Sequence, residues 1–367
     1  MRTFVSVEAV DTHSMSMRKA KRFATGVLLM ALVLGVTVTA FKRLWDSAYY
    51  NGYDRTLPLN VTIRMDKPFP DEEPRYRRLA FTFEGLVGQA VPALAAFPLD
   101  DPGPFPCAVF LHGIGQEKEF LDDIATPFVE AGFAVVSFDQ YMRGERKLKG
   151  NGKLAGLLAF RRRGALTVIE TRRLLDTLQM RNDIARDRIY LLGASYGALT
   201  GSTAAAFDER IRAAVLCYGG GNFTYLLGNG EAAKMLGAFA GPTKALLTWL
   251  LAPSDPLHHV AAISPRPVFF QNGTHDSVIN TSAAEAFHQA AAKPKEVMWY
   301  DSDHVGLDED HTWKVIHDAI NWLKKQDAAL NPDLSSDISR IPVPYPSGFH
   351  FFCHNRRFLV ANRPLKR

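Results

Sequence analysis

The sequence is poor in cysteine, with three in 367 residues. So small and odd a number excludes a fold held together by a framework of disulfides. Cys107 and Cys217 stand within apolar runs, which predicts buried thiols. The chain also lacks an internal repeat, and only 22% of its residues are charged against 47% that are hydrophobic. This composition excludes a solenoid or a disordered protein and predicts one large globular domain with additional segments.

The body of the chain lacks an excess of positive charge, although the net charge of the whole is +5. Residues 1–22 carry +3 and residues 340–367 carry +6, because the second stretch has six basic residues and no acidic one. Residues 23–339 therefore sum to −4. A protein that binds the phosphate backbone of a nucleic acid needs a positively charged main domain, so no nucleic-acid partner is expected.

One long uncharged run occupies residues 23–41. As a helix it would reach about 28 Å, which just spans a bilayer. Basic residues flank it on both sides, which predicts a transmembrane anchor with residues 1–22 in the cytoplasm and the rest periplasmic or extracellular. Val38-Thr39-Ala40 also resembles a signal-peptide cleavage site, so secretion after cleavage near Ala40 is the alternative. Uniform apolarity between basic flanks disfavours a buried core helix.

The remaining chain divides into three parts. Residues 42–75 are predicted to form a polar connector, 76–326 an α/β domain, and 327–367 a basic, proline-containing tail. Within the domain, helical spacing alternates with short β-type apolar runs, which lie at 79–83, 108–111, 134–138, 189–192, 213–217, 268–270 and 297–300. Such alternation predicts a mostly parallel sheet flanked by helices, with functional residues in the loops at the carboxyl ends of the strands.

A sharp turn is predicted where one of these runs ends, at Gly193-Ala194-Ser195-Tyr196-Gly197. A serine between a strand and a helix needs a strained backbone, and only glycine two residues to either side lets the chain pass closely. The turn lifts the hydroxyl of Ser195 above the sheet edge and directs the helix N-terminus toward a developing negative charge. The pattern predicts Ser195 as a nucleophile, with Gly193 and Gly197 in support.

A serine nucleophile needs a base, and the base needs an orienting group. Two later strand ends supply candidates: Asp276 follows the apolar run at 268–270, and His304 follows the run at 297–300. Asp301 and Asp303 are closer to His304 in sequence, but we expect them to point elsewhere or to cap the next helix. The order Ser195, Asp276, His304 is the one found when all three groups lie on strand ends of one α/β sheet.

The loop at His112-Gly113-Ile114-Gly115 follows another strand. Acyl transfer produces an oxyanion, which two backbone N–H groups must stabilise. We expect these donors to be Tyr196, next to the nucleophile, and Ile114 in this loop. His112 and Gly113 are expected to support the loop. No dinucleotide or phosphate-binding pattern is present, and the predicted chemistry requires neither a metal nor an organic cofactor.

Two further segments bear on the site. Residues 218–265 form an unusually long, apolar connection between two strands, which predicts a cap over the active site or, as an alternative, a helix pair packed on the domain. The arginines at 161–163, 172 and 173 are predicted to form a solvated helix face.

From about Tyr76 to Lys325 the chain resembles the α/β-hydrolase superfamily, and within it the dienelactone-hydrolase-like and prolyl-oligopeptidase-like bacterial serine hydrolases. The resemblance rests on the 112–115 and 193–197 motifs, on Gly273-Thr274-His275-Asp276 and on Asp303-His304. It implies an eight-stranded sheet and a target that is an ester, thioester or amide. Dienelactone hydrolases proper use cysteine where this chain has Ser195, so their substrate does not carry over. Prolyl oligopeptidases carry a propeller, for which this chain has no residues.

The sequence therefore predicts a serine carboxylic-ester hydrolase acting on a small-molecule ester that carries an apolar acyl or alkyl group. A peptidase or thioesterase would use the same three residues. A non-catalytic binding protein on the same fold is the third hypothesis. The oligomeric state does not follow from the sequence.

Overall fold

A computed structural model describes residues 12–86, 88–148, 150, 152–228, 240–306 and 308–330. Two compact units are present, Met1–Asn51 and Gly52–Arg367. The first contains helix α1, Thr12–Ser47. Within α1, Lys21–Ser47 is long and apolar enough to cross a membrane, with a mean hydropathy of 2.2 over its most apolar window. The predicted apolar run at 23–41 is thus helical, and its length and composition suit a membrane span or a signal sequence.

The second unit is built on a nine-stranded sheet with the order β1-β2-β3-β5-β4-β6-β7-β8-β9. The first four strands in that order pair antiparallel, and the pairs from β5 to β9 are parallel. The strands span Thr62–Phe69 (β1), Tyr76–Glu84 (β2), Ala90–Phe97 (β3), Phe105–Leu111 (β4), Ala134–Phe138 (β5), Ile184–Ala194 (β6), Ile211–Cys217 (β7), Val268–Gly273 (β8) and Lys295–Tyr300 (β9). The mostly parallel sheet is confirmed.

Helices flank this sheet, as predicted. The helices span Phe120–Glu130 (α2), Lys153–Gln179 (α3), Tyr196–Phe207 (α4), Phe223–Leu226 (α5), Ala240–Leu251 (α6), Thr281–Ala290 (α7) and Glu309–Leu330 (α8). Helix α2 contacts α8, and α3 contacts α4. Short 3₁₀ helices lie at Gly144–Arg146, Ala252–Ser254, Pro256–His258 and Val260–Ile263.

The expected number of eight strands was wrong, because β1 adds a ninth at the sheet edge. Strand β1 lies inside the segment 42–75 that was predicted to be a connector, and α1 also extends into that segment as far as Ser47. Ile63 and Met65 of β1 are exposed, so the strand has no buried apolar face to reveal it in the sequence. Strand β3 is buried but has the sequence AVPALAAF, whose alanines and proline have low β-propensity.

The predicted boundary of the tail at residue 327 was also wrong. Helix α8 continues to Leu330, and the side chain of Asp327 is only 1% exposed. Asp327 accepts hydrogen bonds from the Arg188 guanidinium and the Tyr190 hydroxyl. A buried carboxylate with two partners on β6 belongs to the domain. The rest of the predicted tail, residues 331–367, lies outside the described residues.

The segment 218–265 contains α5, α6 and three 3₁₀ helices, so it is helical as a cap would be. Residues 229–239 of that segment lie outside the described part of the chain.

The predicted solvated face of α3 was wrong for three of its five arginines, whereas Arg162 is exposed and Arg172 is half-buried. Arg161, Arg163 and Arg173 are at most 3% exposed. Arg173 donates to the backbone carbonyls of four residues that precede the sheet or end β2, at 2.7–3.1 Å, namely Asp54, Leu57, Pro58 and Glu84. Carbonyl partners from distant loops leave no pattern along the helix itself. The two predicted buried thiols, Cys107 and Cys217, are buried.

Candidate active site

Ser195 lies on the turn between β6 and α4, with φ 54° and ψ −116°. This left-handed backbone is costly for a residue with a side chain. The flanking glycines make the turn possible, because a Cβ on Gly197 would lie 1.8 Å from the Leu111 carbonyl oxygen. A Cβ on Gly193 would lie 2.4 Å from the Gly197 carbonyl oxygen. The turn therefore has the steric origin that the sequence spacing predicted.

The three residues predicted to act together meet in one chain of hydrogen bonds. The Oγ of Ser195 is 3.0 Å from the Nε2 of His304. The Nδ1 of His304 is 2.8 Å from the Oδ2 of Asp276. A carboxylate can only accept here, so Nδ1 carries the proton and Nε2 is free to accept from the serine. The side chain of His304 is 12% exposed and that of Asp276 is fully buried, which keeps these hydrogen bonds largely out of water.

The carboxylate of Asp276 is held by its own loop. Its Oδ1 accepts hydrogen bonds from the backbone N–H groups of Val278 and Ile279, at 2.8 and 2.7 Å. This leaves Oδ2 for the imidazole. Gly273, at the end of β8, brings the loops after β8 and β9 together, because a Cβ there would lie 2.5 Å from the Ser302 carbonyl oxygen.

Tyr218 completes the surroundings of the imidazole, and sequence analysis missed it. Its ring packs edge-on against His304 at 5.6 Å. Its hydroxyl shares hydrogen bonds with the Ser302 hydroxyl at 2.7 Å and with the His311 ring. Burial raises the pKa of Tyr218, so the phenol stays neutral and a hydrogen-bond donor. Its place directly after β7, at a strand end, was the signal available in the sequence.

The loop that follows β4 is fixed at two successive carbonyls near its start. Gln140 donates to the His112 carbonyl at 2.9 Å, and the buried His112 ring donates from Nδ1 to the Gly113 carbonyl at 2.9 Å. Burial lowers the pKa of His112 to about 4, so the ring is neutral at physiological pH. The Gly113 carbonyl and the Ile114 N–H belong to one trans peptide, so this contact fixes the direction of the N–H. The supporting role of His112 and Gly113 stays a prediction, with which these contacts agree.

Two apolar cavities meet at Ser195 and Ile114. The larger, about 280 Å³, extends between the sheet and helices α2 and α8, lined by Phe110, Phe120, Ile124, Val315 and Ile316. The smaller, about 200 Å³, is lined by residues of α3, α4 and α5, including Phe160, Leu199 and Leu226. Among the described residues, neither cavity is lined by Asp, Glu, Lys or Arg. Such walls suit hydrocarbon groups.

Within the described ranges, no group of three or more His, Cys, Asp or Glu is arranged to hold a metal ion. That the chemistry needs no metal or cofactor stays a prediction.

The parallel sheet with its strand-turn-helix motif at Ser195 defines an α/β-hydrolase fold. The chain belongs to the alpha/beta hydrolase family, whose model matches residues 108–364. The predicted superfamily is thereby confirmed.

Individual relatives agree with this assignment. Esterase YjfP of Escherichia coli is 25% identical over 216 residues, which cover 55% of this chain and 82% of the relative. Two solved structures share the fold. Acetyl xylan esterase from Paenibacillus sp. R4 has a TM-score of 0.62 at 20% identity, covering 77% of this chain and 94% of its own. Acetyl xylan esterase 1 from Thermoanaerobacterium sp. JW/SL YS485 has a TM-score of 0.60 at 19% identity, with 74% and 93% covered. This protein is accordingly an α/β hydrolase.

Proposed function

We propose that this protein is a serine carboxylesterase. The observation that carries the proposal is the hydrogen-bonded chain from Ser195 through His304 to Asp276, with the serine on a strained turn at the meeting point of two cavities. A serine hydroxyl is a weak nucleophile, and a base at 3.0 Å makes it a competent one. The relationship to an esterase of Escherichia coli supports an ester as the target.

In the acylation step the Oγ of Ser195 attacks the ester carbonyl carbon while its proton moves to the Nε2 of His304. The carbonyl oxygen becomes an oxyanion, which the N–H groups of Ile114 and Tyr196 stabilise. Asp276 keeps the imidazole in the right tautomer and stabilises its protonated form. Collapse breaks the bond to the alcohol oxygen, which takes the proton from His304 and leaves.

Deacylation repeats these roles with water. His304 removes a proton from a water molecule, the resulting hydroxide attacks the acyl carbon, and the bond to Ser195 breaks. The serine recovers its proton from His304, and the carboxylic acid departs. Every proton that leaves Ser195 or water passes through the same nitrogen, so the cycle returns the site to its starting state.

The cavities support an ester with apolar groups on both sides of the scissile bond. One group of the substrate lies toward α2 and α8, and the other lies toward α3 and α5. Among the described residues, the linings offer few polar side chains beyond Ser195 and His304, such as Gln116 and Thr312 in one cavity and Thr200 and Ser254 in the other. A sugar would therefore leave several hydroxyl groups unpaired, at a cost of about 1–3 kcal/mol each. We therefore expect alkanoyl esters of small alcohols, and not acylated carbohydrates, to be the better substrates.

Covalent labelling tests the nucleophile. A fluorophosphonate probe should label the wild-type protein, and Ser195→Ala should lose both the label and ester hydrolysis, the latter by a factor on the order of 10⁴–10⁶ in kcat. Ser202→Ala is the matched control, since Ser202 lies on the same helix α4 and its buried hydroxyl donates to the Leu199 carbonyl. Labelling that survives Ser195→Ala and is lost in Ser202→Ala would refute the assignment.

A substrate comparison separates the other candidate functions. p-Nitrophenyl esters of increasing acyl length, the matching acyl thioesters and aminoacyl amides should be hydrolysed in that order of kcat/KM. Faster cleavage of thioesters or amides would identify a thioesterase or peptidase on the same three residues. Tight binding of a ligand without turnover of any of these substrates would identify a non-catalytic binding protein.

The helix Lys21–Ser47 belongs to the same proposal as a membrane anchor, with the second unit periplasmic or extracellular. Its apolar length and basic flanks support this topology. The full-length protein should sediment with membranes and resist extraction at alkaline pH, and added protease should reach it in cells whose outer barrier has been opened. A soluble product that begins just after Ala40 would instead indicate cleavage and secretion.

A further inference from the structure

Arg163 of α3 is a buried cation without a carboxylate partner in the described part of the chain. It is 1% exposed and ranks among the largest fully buried side chains. Its Nη1 donates to the Ile114 carbonyl at 3.1 Å and its Nη2 to the Gln140 Oε1 at 2.8 Å. Its buried Nε has no hydrogen-bond partner among the residues that the structure describes. Burial, opposed by Tyr196 and aided by the Arg143 charge, lowers the pKa of Arg163 to about 10. The group stays charged at neutral pH, at a cost in solvation.

Two other arginines, Arg146 and Arg173, are compensated by carboxylates on α3. Arg146 forms a two-pronged pair with the buried carboxylate of Glu170. Arg173 has Asp176 within 3.4 Å in addition to its four carbonyl partners. A nearby carboxylate offsets the cost of burying each of these two charges, so a structural role is enough to explain Arg146 and Arg173. Arg163 has no such carboxylate among the described residues, and a neutral side chain could hold the loop with a smaller desolvation cost.

The position of Arg163 explains what the charge does. The same guanidinium that binds the Ile114 carbonyl lies 4.4 Å from the centre of the Tyr196 ring. It thus contacts both residues whose N–H groups are proposed to stabilise the oxyanion. Gln140 links it to the start of the loop, since Gln140 accepts from Arg163 and donates to the His112 carbonyl. Three successive backbone carbonyls of this loop, at residues 112, 113 and 114, therefore accept hydrogen bonds from the side chains of Gln140, His112 and Arg163 respectively.

We propose that Arg163 is the positioning residue of the oxyanion site: it clamps the 112–115 loop onto Tyr196 and places a positive charge behind both N–H donors. A fixed cation in a medium of low dielectric favours the negative oxygen of the transition state over the neutral ester. The inference rests on the proposed esterase function. It predicts that loss of the charge lowers kcat and leaves KM nearly unchanged, because the ester oxygen gains its full charge only on the way to the intermediate.

The test uses the full-length protein and three variants. Arg163→Met removes the charge and the two hydrogen bonds at similar volume. Arg163→Lys keeps the charge but loses the two-pronged geometry. Arg173→Lys is the matched control, being an equally buried arginine on the same helix that contacts neither Ile114 nor Tyr196. Each variant is measured for kcat, KM, thermal midpoint and affinity for an alkyl trifluoromethyl ketone, which forms an oxyanion adduct with an active-site serine.

Arg163→Met should lower both kcat and ketone affinity by roughly 10²-fold, the scale of a lost or misplaced oxyanion donor, with KM within about threefold of wild type. Arg163→Lys should recover about tenfold of each, because it restores the charge. Arg173→Lys should lower only the thermal midpoint. If Arg163→Met fails to fold, Arg163→Lys tests the inference by itself, and its ketone affinity should be about tenfold below that of the wild type.

Unchanged ketone affinity in the folded Arg163 variants, or losses that merely follow the folded fraction and are matched by Arg173→Lys, would overturn the inference. A wild-type protein that hydrolyses no ester and forms no ketone adduct would overturn the proposed function itself. The wild-type measurement thus distinguishes the two failures.

Discussion

The Asp303 carboxylate accepts a hydrogen bond of 2.8 Å from the backbone N–H of Ser277, the residue after Asp276. The same oxygen accepts a second hydrogen bond of 2.7 Å from the N–H of His304. One carboxylate therefore joins the loop that bears the acid to the loop that bears the base. Partial burial works to raise the pKa of Asp303, but these hydrogen bonds outweigh it and hold the pKa below its usual value.

Removal of that carboxylate should loosen the imidazole. Asp303→Ala is expected to lower kcat by about 10–10² fold, since a shift of about 1 Å in a catalytic group has effects of this size. KM should change little, because Asp303 lines neither cavity. Steady-state kinetics on a p-nitrophenyl ester measures both constants.

Asp301→Ala is the matched control, because the Asp301 side chain is 92% exposed and pairs with the exposed His275. It should leave kcat within about twofold of wild type, as surface pairs contribute little. Equal activities of the two variants would show that Asp303 does not position His304.

The sequence made the sheet and the meeting of three distant residues predictable for a physical reason. All seven predicted strands are present. The strands in the middle of the sheet are buried on both faces and are therefore continuous apolar runs. The edge strand β9 is largely exposed but is also apolar, at Val297, Met298 and Trp299. In a parallel sheet the carboxyl ends of successive strands share one edge, so Ser195, Asp276 and His304 had to lie near one another once their strands were located.

What the sequence left hidden depends on contacts between distant segments. Strand β1 is held by its pairing with β2 and not by a buried face. Arg163 is buried because a carbonyl group and an amide group from two loops bind it, and these partners, Ile114 and Gln140, lie 49 and 23 residues away in sequence. Polar burial of this kind has no periodic signal, unlike the burial of an apolar helix face. The two cavities likewise depend on how α2, α5 and α8 pack.

Buried histidine makes the stability of the domain depend on pH. Burial, aided by the Lys295 charge, lowers the pKa of His288 to about 4 from an ordinary value near 6.5. Between these values the unfolded chain binds a proton that the folded chain does not, so stability is fully present above pH 6.5 and falls as the pH drops toward 4. The contribution of His288 is on the order of 2–3 kcal/mol across this window.

Urea denaturation at pH 7.5 and pH 5 measures this dependence. His288→Gln cannot titrate, so its free energy of unfolding should fall less than that of wild type between the two conditions. His275→Gln is the control, since the His275 side chain is 72% exposed. It should retain the wild-type difference. An unaltered difference in His288→Gln would show that His288 is not a source of the acid sensitivity.

The contacts of Asp327 show that the folded domain extends beyond residue 326, where the sequence predicts that the basic tail begins. Its carboxylate binds the Arg188 guanidinium in two-pronged fashion, at 2.8 and 2.5 Å, and the buried Tyr190 hydroxyl at 2.6 Å. Asp327→Ala leaves a mostly buried guanidinium and a buried phenol without their acceptor, so we expect a loss of about 3 kcal/mol in the free energy of unfolding. The cost is in stability, because Arg188 and Tyr190 line neither cavity, and kcat of the folded fraction should stay at the wild-type value.

Lys325→Ala is the control for Asp327→Ala. It lies two residues earlier, on the exposed side of α8, and should change the free energy of unfolding by less than about 0.5 kcal/mol. Equal unfolding midpoints for the two variants would place Asp327 outside the folded domain after all.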